Sequence, residues 1–258
     1  MVSFYLKKAF FDGWDHLFGL AALNAVFLAL AFGGISLAAV LPTAIGMALG
    51  IVLWFGLSIV FAATVAATMR WSDYGDFQFG ELFGILGKAL VPGLQFGLFV
   101  GMAVLALAFT VPFYMGKGLL GAGLAGLILW LSIAWIIGLQ FYLPLCFRLG
   151  GGLRKNLRKS FLLLLDNLGI SAFLFVWSLL TLVVSPLLAF LAPGPAGVAL
   201  AWNDALRLLL LKYDWREAHK GEVSGSKAIP VPWKELFVEE EERVGKRSLK
   251  GMFFPWKD

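Results

Sequence analysis

Side chains that could act as acids, bases or nucleophiles are scarce in the apolar part of this 258-residue chain. His16, Asp166 and Asp204 flank or interrupt apolar stretches, where an enzyme acting on lipids would place its catalytic groups. These charges need no reaction to explain them, and the chain contains no Gly-rich phosphate loop, Gly-x-Ser-x-Gly elbow or His-Glu-x-x-His motif. We therefore expect no enzyme activity and assign no catalytic residue.

Residues with the chemistry of metal ligands do not cluster in the sequence either. His16 and His219 are far apart, and Cys146 is the only cysteine, so no pair has the spacing of a zinc or haem site. The sequence therefore predicts no metal site and no bound cofactor.

Uncharged amides are the remaining candidates for chemistry within the apolar stretches. They are Asn24, Gln95, Gln140, Asn167 and Asn203. Such amides either hydrogen-bond neighbouring helices or line a path for a small neutral solute, and the first role is the commoner one. Asp204 and Arg207 stand three residues apart on one helix face, so they can pair with each other.

The distribution of charge shows which elements position these side chains. Hydrophobic residues make up 60% of the chain and charged residues only 14%, too few to cover a water-soluble globule. Four stretches contain no Asp, Glu, Lys or Arg: 17–69, 89–116, 118–147 and 167–203. A helix needs about 20 apolar residues to cross a bilayer, so these stretches predict membrane spans.

Turn residues divide the charge-free stretches into six predicted spans. We expect an all-α fold, a polytopic membrane helix bundle over 1–213 with interfacial amphipathic helices, followed by a charged cytoplasmic tail over 214–258. The sixth span is short and contains charges, so a half-inserted helix is the alternative there. The expected spans are about 17–40, 44–69, 91–115, 119–147, 167–190 and 193–212.

Lys and Arg residues indicate the orientation of the bundle. If the amino terminus is cytoplasmic, the segments on that side carry nearly all of these residues, and the outer turns carry only Lys117. Cytoplasmic segments of membrane proteins are enriched in Lys and Arg. We therefore expect both termini to lie in the cytoplasm.

Two segments between the spans have the spacing of amphipathic helices. Apolar residues in 77–91 recur every three or four positions, which predicts a helix lying along the inner surface. A similar stripe in 153–165 is accompanied by a basic face formed by Arg154, Lys155, Arg158 and Lys159. These cations either contact anionic lipid headgroups or only enforce the orientation of the neighbouring spans.

Glycines recur every four residues in two of the predicted spans. Gly46 and Gly50 form one ridge, and Gly93, Gly97 and Gly101 form another. Small residues at this spacing let helices approach closely. We expect the ridges to pack within the protein's own bundle, with docking of a partner as the less common alternative.

The tail combines charges with a terminal aromatic cluster. Pro232 and Glu235 suit the first turn of a short helix, which we expect to end at Val244 before Gly245. Clustered aromatic residues at a free end mark a contact with the inner membrane surface or with a groove on a partner. The predicted contact residues are Phe253, Phe254, Pro255 and Trp256.

Several segments resemble the YesL-like family of bacterial membrane proteins over about residues 10–212. They are Leu23-Asn24, Leu41 to Leu49 at the first turn, the amphipathic segment from Asp76, Phe141 to Leu145, and Leu153 to Phe161. Members of this family are often associated with carbohydrate-uptake systems of the ABC transporter type. The resemblance implies an accessory role near a permease in the bacterial cytoplasmic (inner) membrane, and it supplies no catalytic residues.

The resulting hypothesis is a non-enzymatic accessory or interaction subunit of a membrane complex, with an ABC-type importer of carbohydrate or another solute as the implied complex. The expected partners are a bilayer with anionic headgroups and a second membrane protein, either a permease or another copy of this chain. No nucleic acid is expected. The alternative is a stand-alone transporter or channel for a small neutral solute, which requires a continuous polar path through the bundle.

Overall fold

The structure is a computed structural model that describes residues 2–219, 231–245 and 247. These residues are mostly helical, and no β-strand occurs among them, which confirms the predicted all-α class. Short 3-10 segments lie at Phe79–Glu81 and Ser185–Leu188, and a π-helical segment lies at Ala106–Thr110. The α-helices are α1 Val2–Asp15, α2 Leu17–Val40, α3 Thr43–Ser72, α4 Leu82–Leu105, α5 Val111–Met115, α6 Gly118–Leu139, α7 Tyr142–Leu149, α8 Leu153–Asp166, α9 Leu168–Val184, α10 Gly194–Ala218, α11 Trp233–Leu236 and α12 Val238–Val244.

Five helical stretches are long and apolar enough to cross a membrane. Large apolar side chains on these stretches remain exposed, among them Phe18 at 89% and Leu119 at 91%. Exposed apolar surface of this extent calls for a hydrocarbon environment, so the five stretches support a multi-pass membrane protein. Their bounds are Leu17–Val40, Thr43–Ser72, Leu82–Met115, Gly118–Leu149 and Leu168–Leu188.

Helix α10 lies among the other helices and is held at its amino end by Asn24 of α2. The Asn24 Nδ2 donates to the carbonyl oxygens of Leu191 and Pro193 at 3.0 and 2.9 Å, and its Oδ1 accepts from the Ala196 N–H at 2.8 Å. Helix α2 continues about 24 Å beyond Asn24 before it ends at Val40. Helix α10 therefore begins well inside the apolar part of the bundle.

The position of α10 bears on the number of spans. By length and composition, α10 is not among the stretches able to cross a membrane. The sixth span over 193–212 stays a prediction. The contact with Asn24 favours its alternative, a helix that enters the bundle only part of the way.

A helix does form in the segment 77–91, beginning at Leu82, but the prediction of a surface helix distinct from the third span is wrong. Helix α4 begins at Leu82 and passes through Pro92 without ending. Proline lacks the N–H of one helical hydrogen bond, but a membrane helix tolerates that loss where neighbouring helices hold it in place. The amphipathic spacing therefore marks the first turns of the third long span. The helix predicted over 153–165, in contrast, is confirmed as α8.

The glycines of α4 lie against α3. A Cβ atom on Gly93 would stand 2.6 Å from the Cα of Ile59, and one on Gly97 would stand 2.7 Å from the Oγ of Ser58. Gly101 has only ordinary contact distances to its neighbours. Two of the three glycines therefore permit a helix approach that any side chain would prevent.

The two glycines of the other predicted ridge, Gly46 and Gly50, differ in the space around them. A Cβ atom on Gly46 would stand 2.6 Å from the carbonyl oxygen of Ala38, across the α2–α3 turn. Gly50 has open space instead, with no such neighbour within 4 Å among the described residues. Of these two glycines, only Gly46 is therefore required for close packing inside the described part of the chain.

We expect the substitution Gly93→Ala to destabilise the bundle by about 1–3 kcal/mol, because the added methyl group overlaps the α3 backbone. Gly50→Ala is the matched control, since it adds the same methyl group in open space. Thermal unfolding of the purified protein in detergent measures both variants. Equal melting temperatures for the two variants would contradict the close approach of α3 and α4.

Helices α11 and α12 pack on the amino-terminal helix. The rings of Phe4 and Phe237 stack with centroids 4.8 Å apart, and the Lys7 Nζ donates to the carbonyl oxygen of Gly245 at 2.9 Å. Phe237 and Val244 are buried in the same apolar cluster as residues of α10. The short helix predicted for the tail thus forms as two helices, and both lie at the end of the bundle where α1 lies.

Candidate functional site

Charged side chains from distant parts of the chain meet where α3 ends. The Asp73 Oδ1 accepts from Arg148 at 2.9 Å and from Arg207 at 2.5 Å. Arg207 also donates from Nε and Nη2 to the Oε1 of Glu240 at 2.9 and 2.6 Å. These ion pairs connect α10 to the end of α3 and to the tail helix α12. We call this end of the bundle the charged end.

Tyr74 lies among these ion pairs. Its hydroxyl donates to the Oε2 of Glu240 at 2.7 Å, and the guanidinium carbon of Arg207 lies 5.1 Å from its ring centroid. Its φ of +60° is rare for a residue with a side chain, so the surrounding contacts hold it in place. Burial opposes the ionisation of Glu240, but the hydrogen bonds from Arg207 and Tyr74 hold its pKa below the ordinary value.

A second group of charges adjoins Tyr74, and we call it the Lys8 cluster. The Lys8 Nζ lies 3.9 Å from the Tyr74 ring centroid, 2.6 Å from the Oδ2 of Asp12 and 3.1 Å from the carbonyl oxygen of Ser72. The Oδ1 of Asp204 lies 3.8 Å from the same ammonium. Lys8 and Asp204 are both 0% exposed, so water does not solvate either charge.

The Lys8 cluster contains one cation and two carboxyl groups. Neither oxygen of Asp204 accepts a hydrogen bond from the described residues. A buried carboxylate without donors is costly, whereas a protonated carboxyl group can donate to its neighbour. Burial accordingly raises the pKa of Asp12, against the opposing effect of Lys8. The cluster is therefore suited to hold one proton between Asp12 and Asp204.

The pairing of Asp204 with Arg207 that their spacing allows does not form. Asp204 faces Lys8, and Arg207 faces Asp73 and Glu240. An ion pair between Asp204 and Arg207 would use only neighbouring residues of one helix, but the packed helices supply each residue with partners from other parts of the chain. Sequence reasoning also missed the cluster itself, although Lys8 and Asp12 have the four-residue spacing of a helical ion pair.

The three residues weighed as catalytic groups have different partners. The His16 ring stacks on Trp71 with centroids 4.9 Å apart, whereas Asp204 belongs to the Lys8 cluster. Asp166 lies at the end of α8 and pairs with the Nζ of Lys212 at 2.7 Å. Burial opposes the ionisation of Asp166, but the hydrogen bond from Lys212 holds its pKa below the ordinary value. These contacts serve ion pairing and packing.

The uncharged amides each form a hydrogen bond between different helical segments. The bonds join Asn24 to Ala196, Gln95 to Tyr142, Gln140 to Ser171, Asn167 to Tyr213 and Asn203 to Val65. None of these amides lines the apolar cavity of about 340 Å³ between α1, α2, α9 and α10. Their contacts support the structural role and give no support to a continuous polar path.

The basic face of α8 borders an open groove of about 1050 Å³ against α6. Its four predicted cations, Arg154, Lys155, Arg158 and Lys159, all line this groove, together with Trp135, Phe161 and several leucines. None of the four forms an ion pair with the described residues, in contrast to the arginines of the charged end. These cations are therefore available to an external anion.

A second groove, of about 790 Å³, lies between α1 and the two tail helices. Its walls include the aromatic rings of Phe4 and Trp233, and the carboxylates of Glu241 and Glu242 border it. The aromatic residues predicted to contact a partner or the membrane, Phe253, Phe254, Pro255 and Trp256, lie outside the described residues. The sequence did not predict this groove, because it requires α1 and α12 to meet.

Comparison of the chain with protein-family models, with curated proteins and with solved structures finds no match. The resemblance to the YesL-like family therefore depends on the sequence segments alone and stays a prediction.

Proposed function

We propose that this protein is a non-enzymatic accessory subunit of a complex in the bacterial cytoplasmic membrane. The observation that carries the proposal is the attachment of α12 to the charged end through Glu240, Arg207 and Tyr74. Two short helices held in this way present a preformed surface, and a preformed surface binds without the entropic cost of ordering. The protein's function would then be recognition at this surface.

The interior of the bundle supports the same proposal. Its side-chain amides form hydrogen bonds between helical segments. Its buried charged groups belong to the Lys8 cluster and to the ion pairs of Arg207. A transporter would instead direct such groups into a shared cavity. The resemblance to the YesL-like family supports the permease of an ABC-type solute importer as the partner.

The proposed contact surface is the groove between α1 and the tail helices. Aromatic rings in a concave site with a charged border are typical of protein-binding surfaces. Lys7 connects the two walls through its bond to Gly245, so the groove keeps its shape without a partner. Both walls lie at the charged end, and the positive-inside rule supports a cytoplasmic location for that end.

The test is co-purification of the tagged full-length protein in mild detergent, followed by mass spectrometry. We expect a membrane protein to be recovered at a fixed ratio. The double substitution Glu241→Lys and Glu242→Lys reverses the charge bordering the groove and is expected to abolish that recovery. Isolation of the native chain alone would contradict the proposal.

The control variant carries Glu235→Lys and Glu239→Lys. Both residues are exposed on the same tail helices and do not line the groove, so the net charge changes equally while the proposed contact stays intact. Normal recovery with this control and loss with the groove variant would support the proposal. Equal loss with both variants would show a general charge effect and overturn the assignment to the groove.

A further inference from the structure

The fixed position of α8 determines which of its residues face outward. The Ser160 hydroxyl donates to the carbonyl oxygen of Gly138, and the Phe161 ring lies against the same glycine of α6. The Trp135 ring contacts Phe161 with centroids 5.1 Å apart. With this side of the helix packed on α6, the basic face of α8 stays accessible beside the contact and borders the groove.

The outward face of α8 changes character along its length. Arg154, Arg158, Leu162 and Leu165 recur at intervals of four, four and three residues, so they form one stripe on the helix. Cations occupy the amino-terminal half of the stripe, and leucines exposed by 53% and 67% occupy the carboxyl-terminal half. The stripe is about 16 Å long, and its charged half followed by exposed hydrocarbon matches an amphiphile that lies along the helix.

Two neighbouring pairs of cations stand one helical turn apart. Arg154 and Lys155 form the first pair, and Arg158 and Lys159 form the second, about 6 Å further along the axis. Arg and Lys both bind phosphate oxygens strongly, and basic pockets beside membrane helices bind lipid headgroups. Two pairs in successive turns offer separate positions for two phosphate groups.

We propose that the groove between α6 and α8 is a binding site for an anionic phospholipid whose headgroup carries two phosphates. The two cation pairs hold the phosphates, and the acyl chains lie against Trp135, Leu162 and Leu165. The groove volume of about 1050 Å³ lies at the upper limit of small-molecule sites, which suits a large lipid. This site is independent of the partner surface proposed at the tail helices.

The positive-inside rule alone would also place four cations in this segment. It requires only their charge and makes no demand on neighbouring leucines or on a groove. The stripe of exposed leucines next to the cations is therefore the feature that separates a lipid site from a topology signal.

The experiment is a binding titration of the full-length protein in detergent, read by native mass spectrometry. The probes are tetraoleoyl diphosphatidylglycerol, dioleoyl phosphatidylglycerol, dioleoyl phosphatidylcholine and sodium phosphate. We expect diphosphatidylglycerol to bind most tightly, even when phosphatidylglycerol is supplied at twice the concentration to equalise the phosphate. Equal binding of the two anionic lipids would overturn the two-phosphate assignment, and saturation by sodium phosphate would overturn the lipid assignment.

The double substitution Arg154→Gln and Arg158→Gln is expected to weaken diphosphatidylglycerol binding about 30-fold, the usual effect of two basic residues near anionic headgroups. Lys88→Gln with Lys117→Gln is the matched control, since both lysines are exposed and neither lines the groove. Unchanged lipid affinity in the variant with Arg154→Gln and Arg158→Gln, or equal loss of affinity in the control, would overturn the proposal.

A third variant tests the apolar half of the site. Leu162→Gln leaves every cation in place. We expect it to weaken diphosphatidylglycerol binding about threefold, because contact with the acyl chains is lost. Lipid-free melting temperatures verify that each variant is folded. Unchanged lipid affinity in Leu162→Gln would overturn the proposed position of the acyl chains.

Discussion

Replacement of Lys8 by Met is expected to destabilise the protein by about 3–5 kcal/mol, because it leaves two buried carboxyl groups without their shared cation. Chemical unfolding of the full chain in detergent measures the loss. Lys88→Met is the control, since that lysine is exposed. An equal effect of the two substitutions would contradict the burial of the Lys8 cluster.

The pH dependence of the Lys8 cluster follows from the raised pKa of Asp12. The native state binds the proton of Asp12 more tightly than the unfolded state, so the contribution of this group to stability is largest at low pH. That contribution decreases as the pH rises from the ordinary Asp pKa through the raised value. Asp12→Asn is expected to remove this part of the slope, and acidification is expected to reduce the defect of the Lys8→Met variant.

Replacement of Arg207 by Leu is expected to release α12 from the bundle. Arg207 supplies both ion-pair bonds to Glu240, and hydrogen bonds to charged groups contribute about 1.5–3 kcal/mol each. We expect hydrogen exchange of the α12 amides to accelerate about 100-fold, which corresponds to about 2.7 kcal/mol, the contribution of one such bond. Unchanged protection of α12 would show that Phe237 and Val244 hold the helix without the ion pair.

Glu239→Leu is the matched control for this experiment. Glu239 lies on α12 itself, but it forms only an exposed ion pair with Arg243 of the same helix, a type of contact that contributes little. The pH dependence of α12 docking follows from the lowered pKa of Glu240. Its contribution to docking is present above the ordinary Glu pKa and is lost as the pH falls through the lowered value, so acid should also release α12.

The long helices could be predicted from the sequence because lipid imposes a simple rule on them. A stretch without charges must either span the membrane or be buried, and the predicted bounds of the first two spans agree closely with α2 and α3. Periodicity likewise predicted α8. It failed at 77–91, because apolar spacing cannot show whether a helix continues through Pro92.

The candidate site could not be predicted in the same way because its contacts are not local. The spacing of Asp204 and Arg207 suggested one ion pair, but each residue meets partners brought by other helices. Ion pairs of this kind depend on how the helices cross, which no local pattern specifies. The outward cations of α8 could be predicted because an amphipathic helix sorts its side chains by itself.

The contact between α1 and α10 has a consequence for biosynthesis. The Tyr5 hydroxyl donates to the carbonyl oxygen of Ala201, 196 residues further along the chain. At about 5–20 residues per second, a ribosome needs roughly 10–40 s to supply that partner. Until then Lys8 and Asp12 lack the helix that buries them. Docking of α1 must therefore follow synthesis of α10, which makes it a marker of completed insertion.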